Sequence, residues 1–163
     1  MYYYCVLCDC TIIHQLTDVV LRNFDVEVLC PKIVQRYWKH GREELRAYEY
    51  LTGHFFVYSE SPIHQIEELL QTPGIERILG DPDKDFQLTG NDLAFAQMLF
   101  DMDGCIGILK THLVGNRVTL KSSLYHGFKG EITRIEKRRG RAQLDYEFDG
   151  QMQQVWIGYE LEK

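Results

Sequence analysis

Apolar positions in the first hundred residues change between a strand-like and a helix-like period. Residues 2–8 form a continuous aromatic and apolar run, which predicts a buried strand. Ile13, Leu16, Val20 and Phe24 then recur at the spacing of one face of an amphipathic helix. The same reasoning predicts a strand at 26–29, a hairpin of 33–37 with 45–51, a strand at 54–58, a helix opening at Ser61-Pro62 and ending at 72–74, a short strand, and a helix capped by Thr89. This order is typical of an α+β layer fold.

The end of the chain follows a two-residue period instead. Ala142, Leu144, Tyr146 and Phe148 fall on one face of a predicted strand, with polar residues between them. Asp149-Gly150 is typical of a two-residue hairpin turn. Glycines interrupt the segment between the helical part and this β part, so we predict a boundary there. The predicted units are a head of residues 1–104, a linker of residues 105–114 and a tail of residues 115–163.

The formal net charge of −6 argues against a protein that coats DNA in general. The charge is unevenly distributed, because residues 1–110 carry 9 Lys and Arg against 17 Asp and Glu, whereas residues 111–163 carry 9 against 7. Such asymmetry predicts different partners for the two parts. We expect the tail to contact phosphate and the head to contact protein.

Several function classes receive little support from the sequence. The N-terminus lacks the basic and apolar regions of a signal peptide, and no apolar run approaches the ~18 residues of a membrane span. Cys5 and Cys8 have C-x-x-C spacing, but on a strand their side chains face opposite sides. No catalytic pattern surrounds any Cys or His. We therefore expect a cytoplasmic monomer that is not an enzyme and that binds no membrane, metal or cofactor.

A basic segment in the tail is the strongest candidate for binding nucleic acid. Four Lys and Arg residues surround one glycine within residues 137–141. Arg presents a rigid fork of donors that can hold a phosphate through two hydrogen bonds. A hairpin tip that is charged only for solubility is the alternative. The predicted nucleic-acid-binding residues are Lys121, Lys129, Arg134, Lys137, Arg138, Arg139 and Arg141.

The tail resembles a KOW motif, the small SH3-like barrel of transcription and ribosomal proteins. The similarity covers residues 115–121, 125–132 and 137–141, and its central glycine is Gly130. Residues 132–142 and 155–160 are most similar to antiterminators of the LoaP type. This similarity implies that the tail binds nucleic acid, with a hairpin in the nascent leader RNA as the expected ligand.

The head precedes this motif and resembles the first domain of the NusG family of transcription elongation factors. The similar segments, in the family's order, are an aromatic strand at 3–6, a hydrophobic strand ending in proline at 28–31, a strand entry at 50–57 and a Thr-Pro-Gly turn at 72–74. The resemblance implies an NGN α/β sandwich, with an antiparallel sheet and three helices, followed by a KOW SH3-like β-barrel. Thr52 and His54 depart from the family's Pro and Tyr.

The resemblance also implies a function. The head would bind the clamp helices of RNA polymerase and suppress pausing and termination. For each residue of this patch taken alone, burial in the core is the alternative interpretation. The residues that the resemblance places at the polymerase are Tyr3, Leu51, Thr52, Gly53, His54 and Phe55.

Alternative functions stay open at this point. One is a housekeeping NusG-like factor that couples transcription to translation through a small-subunit ribosomal protein. Another is a ribosome-associated KOW protein that binds RNA. Non-template DNA is the alternative nucleic acid for an antiterminator.

Overall fold

Strands outnumber helices in this chain. The computed structural model describes residues 1–64, 66–125 and 127–163, and it is mixed α+β with about 25% helix and 45% strand. The strands are β1 (Tyr2–Cys8), β2 (Glu27–Leu29), β3 (Lys32–Lys39), β4 (Arg42–Glu49), β5 (His54–Ser59), β6 (Ile75–Ile78), β7 (Cys105–Ile106), β8 (Leu109–Val114), β9 (Arg117–Leu120), β10 (Glu131–Glu136), β11 (Arg141–Phe148) and β12 (Gln151–Leu161). The α-helices are α1 (Ile13–Asn23), α2 (Ile66–Leu70) and α3 (Gly90–Asp101), and short 3-10 turns make up the rest of the helical fraction.

A four-stranded antiparallel sheet lies at the centre of the head, in the order β2-β5-β1-β6. Successive residues of β5 face opposite sides of this sheet, as strand geometry requires. Phe55 packs in the cluster that contains residues of α1 and α2, whereas Phe56 packs in the cluster that contains α3. The sheet is therefore covered on both faces, and a hairpin of β3 and β4 extends from it, paired at its base with β7.

The tail is a five-stranded sheet in the order β10-β11-β12-β8-β9, and it is nearly closed into a barrel. Ala142, Leu144, Tyr146 and Phe148 are buried inside it, which confirms the predicted alternation. The turn from β11 to β12 uses two residues in the left-handed region, with φ of 52° at Asp149 and 70° at Gly150. This geometry is that of the predicted tight hairpin.

Gly130 has a specific structural reason to be glycine. A Cβ atom at this position would lie 2.7 Å from Leu144 Cδ1 and 3.1 Å from Phe128 Cε1. Any side chain would therefore displace the core of the tail at the entry to β10.

Two sequence predictions about element boundaries were wrong. The helix expected to open at Ser61-Pro62 begins, among the described residues, at Ile66. Other hydrogen bonds hold the segment before it: Ile63 N donates to the distant Tyr4 Oη at 3.2 Å, and Ser59 Oγ donates locally to Ser61 O at 2.6 Å. The predicted linker of residues 105–114 contains β7 and β8, and β8 belongs to the tail's sheet.

The head and the tail share one hydrophobic cluster, centred on α3. Phe95 of α3 is 1% exposed and stacks on Tyr146 of the tail, with ring centroids 5.5 Å apart and planes 6° from parallel. Asn91 Nδ2 donates to Lys129 O at 3.1 Å and to Glu147 O at 2.8 Å. Apolar packing, together with hydrogen bonds from Asn91 to backbone carbonyl groups of the tail, thus fixes the tail against the head.

Candidate nucleic-acid interface

The basic segment of the tail forms a tight turn between β10 and β11. Residues Lys137–Arg139 make one turn of 3-10 helix, and Gly140 closes it in the left-handed region with φ of 57°. The Gly140 amide donates to Lys137 O at 3.2 Å. Lys137, Arg138 and Arg139 are all exposed, so the turn presents three cations to solvent.

Arg141 differs from its neighbours, because protein groups already hold its guanidinium. Its Nε and Nη2 donate to the two carboxylate oxygens of Glu136 at 2.8 and 3.1 Å, and its Cζ lies 4.6 Å from the centre of the Trp156 ring. The hydrogen bond from Arg141 lowers the pKa of Glu136. Arg141 therefore braces the base of the turn, and it has less freedom to bind phosphate than the sequence predicted.

The remaining predicted residues lie away from this turn. Lys129 is exposed at the opposite end of β10, about 20 Å along a strand of that length. Lys121 forms an ion pair with Glu162. Arg134 is exposed midway along β10. The structure therefore brings together Lys137, Arg138 and Arg139, with Arg141 beneath them, and separates the other three.

The β3–β4 hairpin of the head holds the basic turn in place. Arg36 Nη1 donates to Gly140 O at 3.2 Å and to Tyr159 O at 3.0 Å. Gln35 Nε2 donates to Trp156 O at 2.9 Å. The Arg36 guanidinium also forms ion pairs with Glu43 at 2.8 Å and Glu160 at 3.5 Å. The turn consequently has a fixed position relative to the head.

The patch predicted to bind polymerase is a second candidate site, at the turn that leads into β5. Leu51 adopts a φ of 48°, and Gly53 adopts a φ of 81°. A Cβ on Gly53 would lie 2.8 Å from Cys8 O, so only glycine fits there. His54 N donates to Leu51 O at 2.9 Å, which closes the turn. Thr52 is exposed at its tip.

The structure divides this patch between the two faces of the sheet. Tyr3 and His54 are half-buried on the face that carries α3, where the His54 ring lies 6.0 Å from the Phe148 ring of the tail. Phe55 is fully buried on the opposite face, within the core of the head. Its side chain is therefore a core residue. The patch consists of Leu51, Thr52 and His54 around Gly53, whereas Tyr3 pairs with Tyr58, roughly 13 Å from His54 along β5.

Polar contacts between head and tail border the same patch. The hydroxyl groups of Tyr50 and Tyr146 are hydrogen-bonded to each other, and burial raises the pKa of both. Asp149 N donates to Asp92 Oδ1 at 3.0 Å, and burial raises the pKa of Asp92. Arg77 forms an ion pair with Asp149 from the edge of the head sheet. None of these contacts was predicted from the sequence.

The cysteines behave as the strand geometry predicts. Cys5 and Cys8 are both buried, and they belong to the core clusters on opposite faces of the head sheet. Burial raises the pKa of Cys8 to about 11. Across the described residues, no three His, Cys, Asp or Glu side chains are grouped closely enough to hold a metal ion.

The composition of α3 is a sequence signal for the contact between head and tail. Its buried residues are Ala94, Phe95, Ala96, Met98 and Leu99, and they lie on more than one side of the helix. A helix that is apolar on every side must be covered on every side. That rule predicts a second layer over α3, which is the tail.

Comparisons with known proteins do not identify the chain. No protein-family model matches the sequence, and no curated protein matches it. In the part of the chain that the structure describes, every helix is too short or too polar to cross a membrane.

Proposed function

We propose that the chain is a transcription antitermination and elongation factor. Its head binds RNA polymerase and its tail binds nucleic acid, with folded leader RNA as the ligand. The observation that carries the proposal is the exposed turn Lys137–Arg139 on a barrel-like sheet. Arg36 donates one hydrogen bond to Gly140 O, where the turn closes, and one to Tyr159 O of the neighbouring strand β12. A rigid cluster of cations on a small β domain favours phosphate binding, since little side-chain and loop freedom is lost on association.

The division into an NGN-like head and a KOW-like tail is part of this proposal. An antiparallel four-stranded sheet with helices on both faces supports the first assignment. A nearly closed five-stranded sheet, whose core leaves no room for a side chain at Gly130, supports the second. Resemblance to the NusG family connects the two units to one function.

Structured RNA is the preferred nucleic acid because of the chemistry of the turn. A folded RNA helix has a deep, narrow major groove, so proteins recognise it mainly through its shape and its phosphates. Arg138 and Arg139 supply planar cations suited to phosphate, and both are exposed. Glu136 neutralises Arg141 at the base of the turn, which leaves the net positive charge at the tip.

RNA binding is tested with two charge-matched double variants. Replacing Arg138 and Arg139 by Ala should weaken binding to a leader RNA hairpin and reduce the salt slope by roughly one unit per arginine. Replacing Arg117 and Lys163 by Ala removes the same charge from exposed sites elsewhere in the tail and should change binding much less. Fluorescence anisotropy at several salt concentrations measures both. Equal losses in the two variants would contradict the assignment of this turn.

Polymerase binding is tested at the other patch. Asp is a residue that tolerates the left-handed backbone of position 51, and it would place a charge in the half-buried apolar patch that we propose contacts polymerase. Leu51→Asp should therefore lose retention on immobilised core RNA polymerase. Leu70→Asp is the control, because Leu70 is 39% exposed on α2. Retention of Leu51→Asp at the wild-type level, with both variants folded by circular dichroism, would contradict the patch.

A further inference from the structure

The most exposed aromatic side chains among the described residues all belong to one hairpin. Tyr37 is 43% exposed, Trp38 is 53% exposed and Tyr48 is 43% exposed, on β3 and β4. Large aromatic rings contribute most when they are buried, so a cluster of them in solvent indicates a binding surface.

These rings line a pocket that the head and the tail build together. The pocket has a volume of about 480 Å³ and follows the edge of β3 beyond its short pairing with β7. This size falls within the roughly 300–1,000 Å³ that small-ligand sites have. Its walls are Tyr37 and Tyr48 from one face of the hairpin, Trp38 from the other face, and Arg139 and Arg141 from the tail, with Gln35 and Arg36 at the edge of β3 between them. Arg46 already covers one face of the Tyr37 ring, with its Cζ 3.9 Å from the ring centre.

The cations of the pocket have different roles. Arg36 is held by Glu43 and Glu160, and Arg141 is held by Glu136. The side chain of Arg139 is 64% exposed, and its one ion pair, with Glu136, is long at 3.8 Å. Arg139 is therefore the guanidinium that can turn toward a ligand in the pocket. Because it also belongs to the exposed basic turn, the pocket is continuous with the proposed phosphate-binding surface.

We propose that this pocket binds an unpaired nucleotide of the RNA whose folded part the basic turn holds. The base stacks on the aromatic rings of the hairpin, and Arg139 contacts its phosphate. Base stacking on aromatic side chains and Arg planes is the usual way in which proteins hold single-stranded nucleic acid. The inference rests on the proposed function and adds a specificity to it: the ligand has a single-stranded loop or flank beside its stem.

Binding of a hairpin RNA with an unpaired loop to the full-length protein tests this inference. Trp38→Ala or Tyr48→Ala should weaken binding by roughly 5- to 150-fold, the range that one base–aromatic stack contributes. Trp38→Phe keeps a ring and should restore most of the affinity. Leu45→Ala is the matched control, since Leu45 is 60% exposed on the same hairpin and lies outside the pocket wall. The three side chains are solvent-exposed, so the fold should survive each change.

A second measurement locates the contact. 2-Aminopurine placed in the RNA loop should lose fluorescence on binding to wild-type protein and keep it with Trp38→Ala. A fully paired duplex of the same stem should bind both proteins equally. If Trp38→Ala and Tyr48→Ala bind the loop RNA as wild type does, while the Arg138 and Arg139 double variant loses binding, this inference is wrong and the proposed function stands.

Two further outcomes are informative. If the wild-type protein binds no RNA hairpin at all, the RNA-binding part of the proposed function fails, and this inference fails with it. If an acidic peptide displaces the loop RNA in a Trp38-dependent way, and 2-aminopurine fluorescence does not respond to binding, the pocket is a peptide site and the inference is overturned.

Discussion

Replacing Phe95 by Ala tests whether the head and the tail share one core. The ring of Phe95 lies 5.7 Å from that of Phe56 in the head. It also lies 6.1, 5.5 and 5.3 Å from the rings of Phe128, Tyr146 and Phe148 in the tail. Three of the four aromatic partners of this side chain therefore come from the tail, and its removal opens a cavity at the contact between the two units.

The expected loss is large. Truncating a buried Phe to Ala costs about 3–5 kcal/mol, because transfer energy is lost and a cavity remains. For a chain of this size, each kcal/mol lowers the midpoint of thermal unfolding by roughly 2–4 °C. Phe95→Ala should thus lower that midpoint by roughly 6–20 °C. The wild-type chain should unfold in a single transition, since one hydrophobic cluster spans both units.

The assay follows unfolding with two signals, far-ultraviolet circular dichroism for the whole chain and tryptophan fluorescence for the tail. All proteins in this assay carry Trp38→Phe, which leaves Trp156 as the only tryptophan. Phe100→Ala is the control, because its half-buried ring packs on Tyr58 within the head, with centroids 4.8 Å apart. It should cost less than Phe95→Ala and should keep the two signals coincident. A loss below about 1 kcal/mol for Phe95→Ala, or a tail transition that does not move, would refute the shared core.

Two further predictions concern the basic turn. Gly140→Ala should lower the free energy of unfolding measured in urea by about 1–2 kcal/mol, because φ is 57° and the new Cβ would lie 2.3 Å from Arg36 Nη1. An unchanged free energy of unfolding would contradict the turn geometry. Acid should weaken the turn, because Arg141 lowers the pKa of Glu136. That stabilisation is complete above the ordinary carboxyl pKa of about 4.3 and is lost as pH falls through the lowered folded pKa. When the urea midpoint is plotted against pH, Glu136→Gln should show a smaller fall at acid pH than wild type does. The same fall in both proteins would contradict the role of Glu136 in the turn.

Local sequence patterns predicted many of the helices and strands, because the spacing of apolar residues depends only on residues close together in the sequence. The helical spacing of Ile13, Leu16 and Val20 corresponds to α1, and the alternation around Tyr146 corresponds to β11. The predicted start of α2 was wrong because a distant part of the chain decides it. Its expected capping signal at Ser61 is overridden by the hydrogen bond from Ile63 N to the Tyr4 hydroxyl, in another part of the head. Such tertiary partners have no signature in a short sequence window.

The candidate site could be predicted only in part. The cluster of cations at 137–141 is visible in the sequence, and its turn contains Gly140 as expected. The partner of this turn is not visible, because Arg36 and Gly140 are 104 positions apart. Arg141 was predicted to bind phosphate, but Glu136 and Trp156 hold it, which only the register of β10, β11 and β12 reveals. The pocket could not be predicted from the sequence either, because it forms where distant segments of the chain meet.

Single-round transcription through an intrinsic terminator is the decisive assay for the proposed antitermination activity. The template should encode a leader hairpin with an unpaired loop upstream of the terminator. Wild-type protein should raise the fraction of full-length transcript. Leu51→Asp, with its charge in the polymerase patch, should not raise it, whereas Leu70→Asp should act as wild type does. Unchanged readthrough with wild-type protein would contradict the proposed antitermination activity. Equal readthrough with wild type and Leu51→Asp would contradict the role of the polymerase patch.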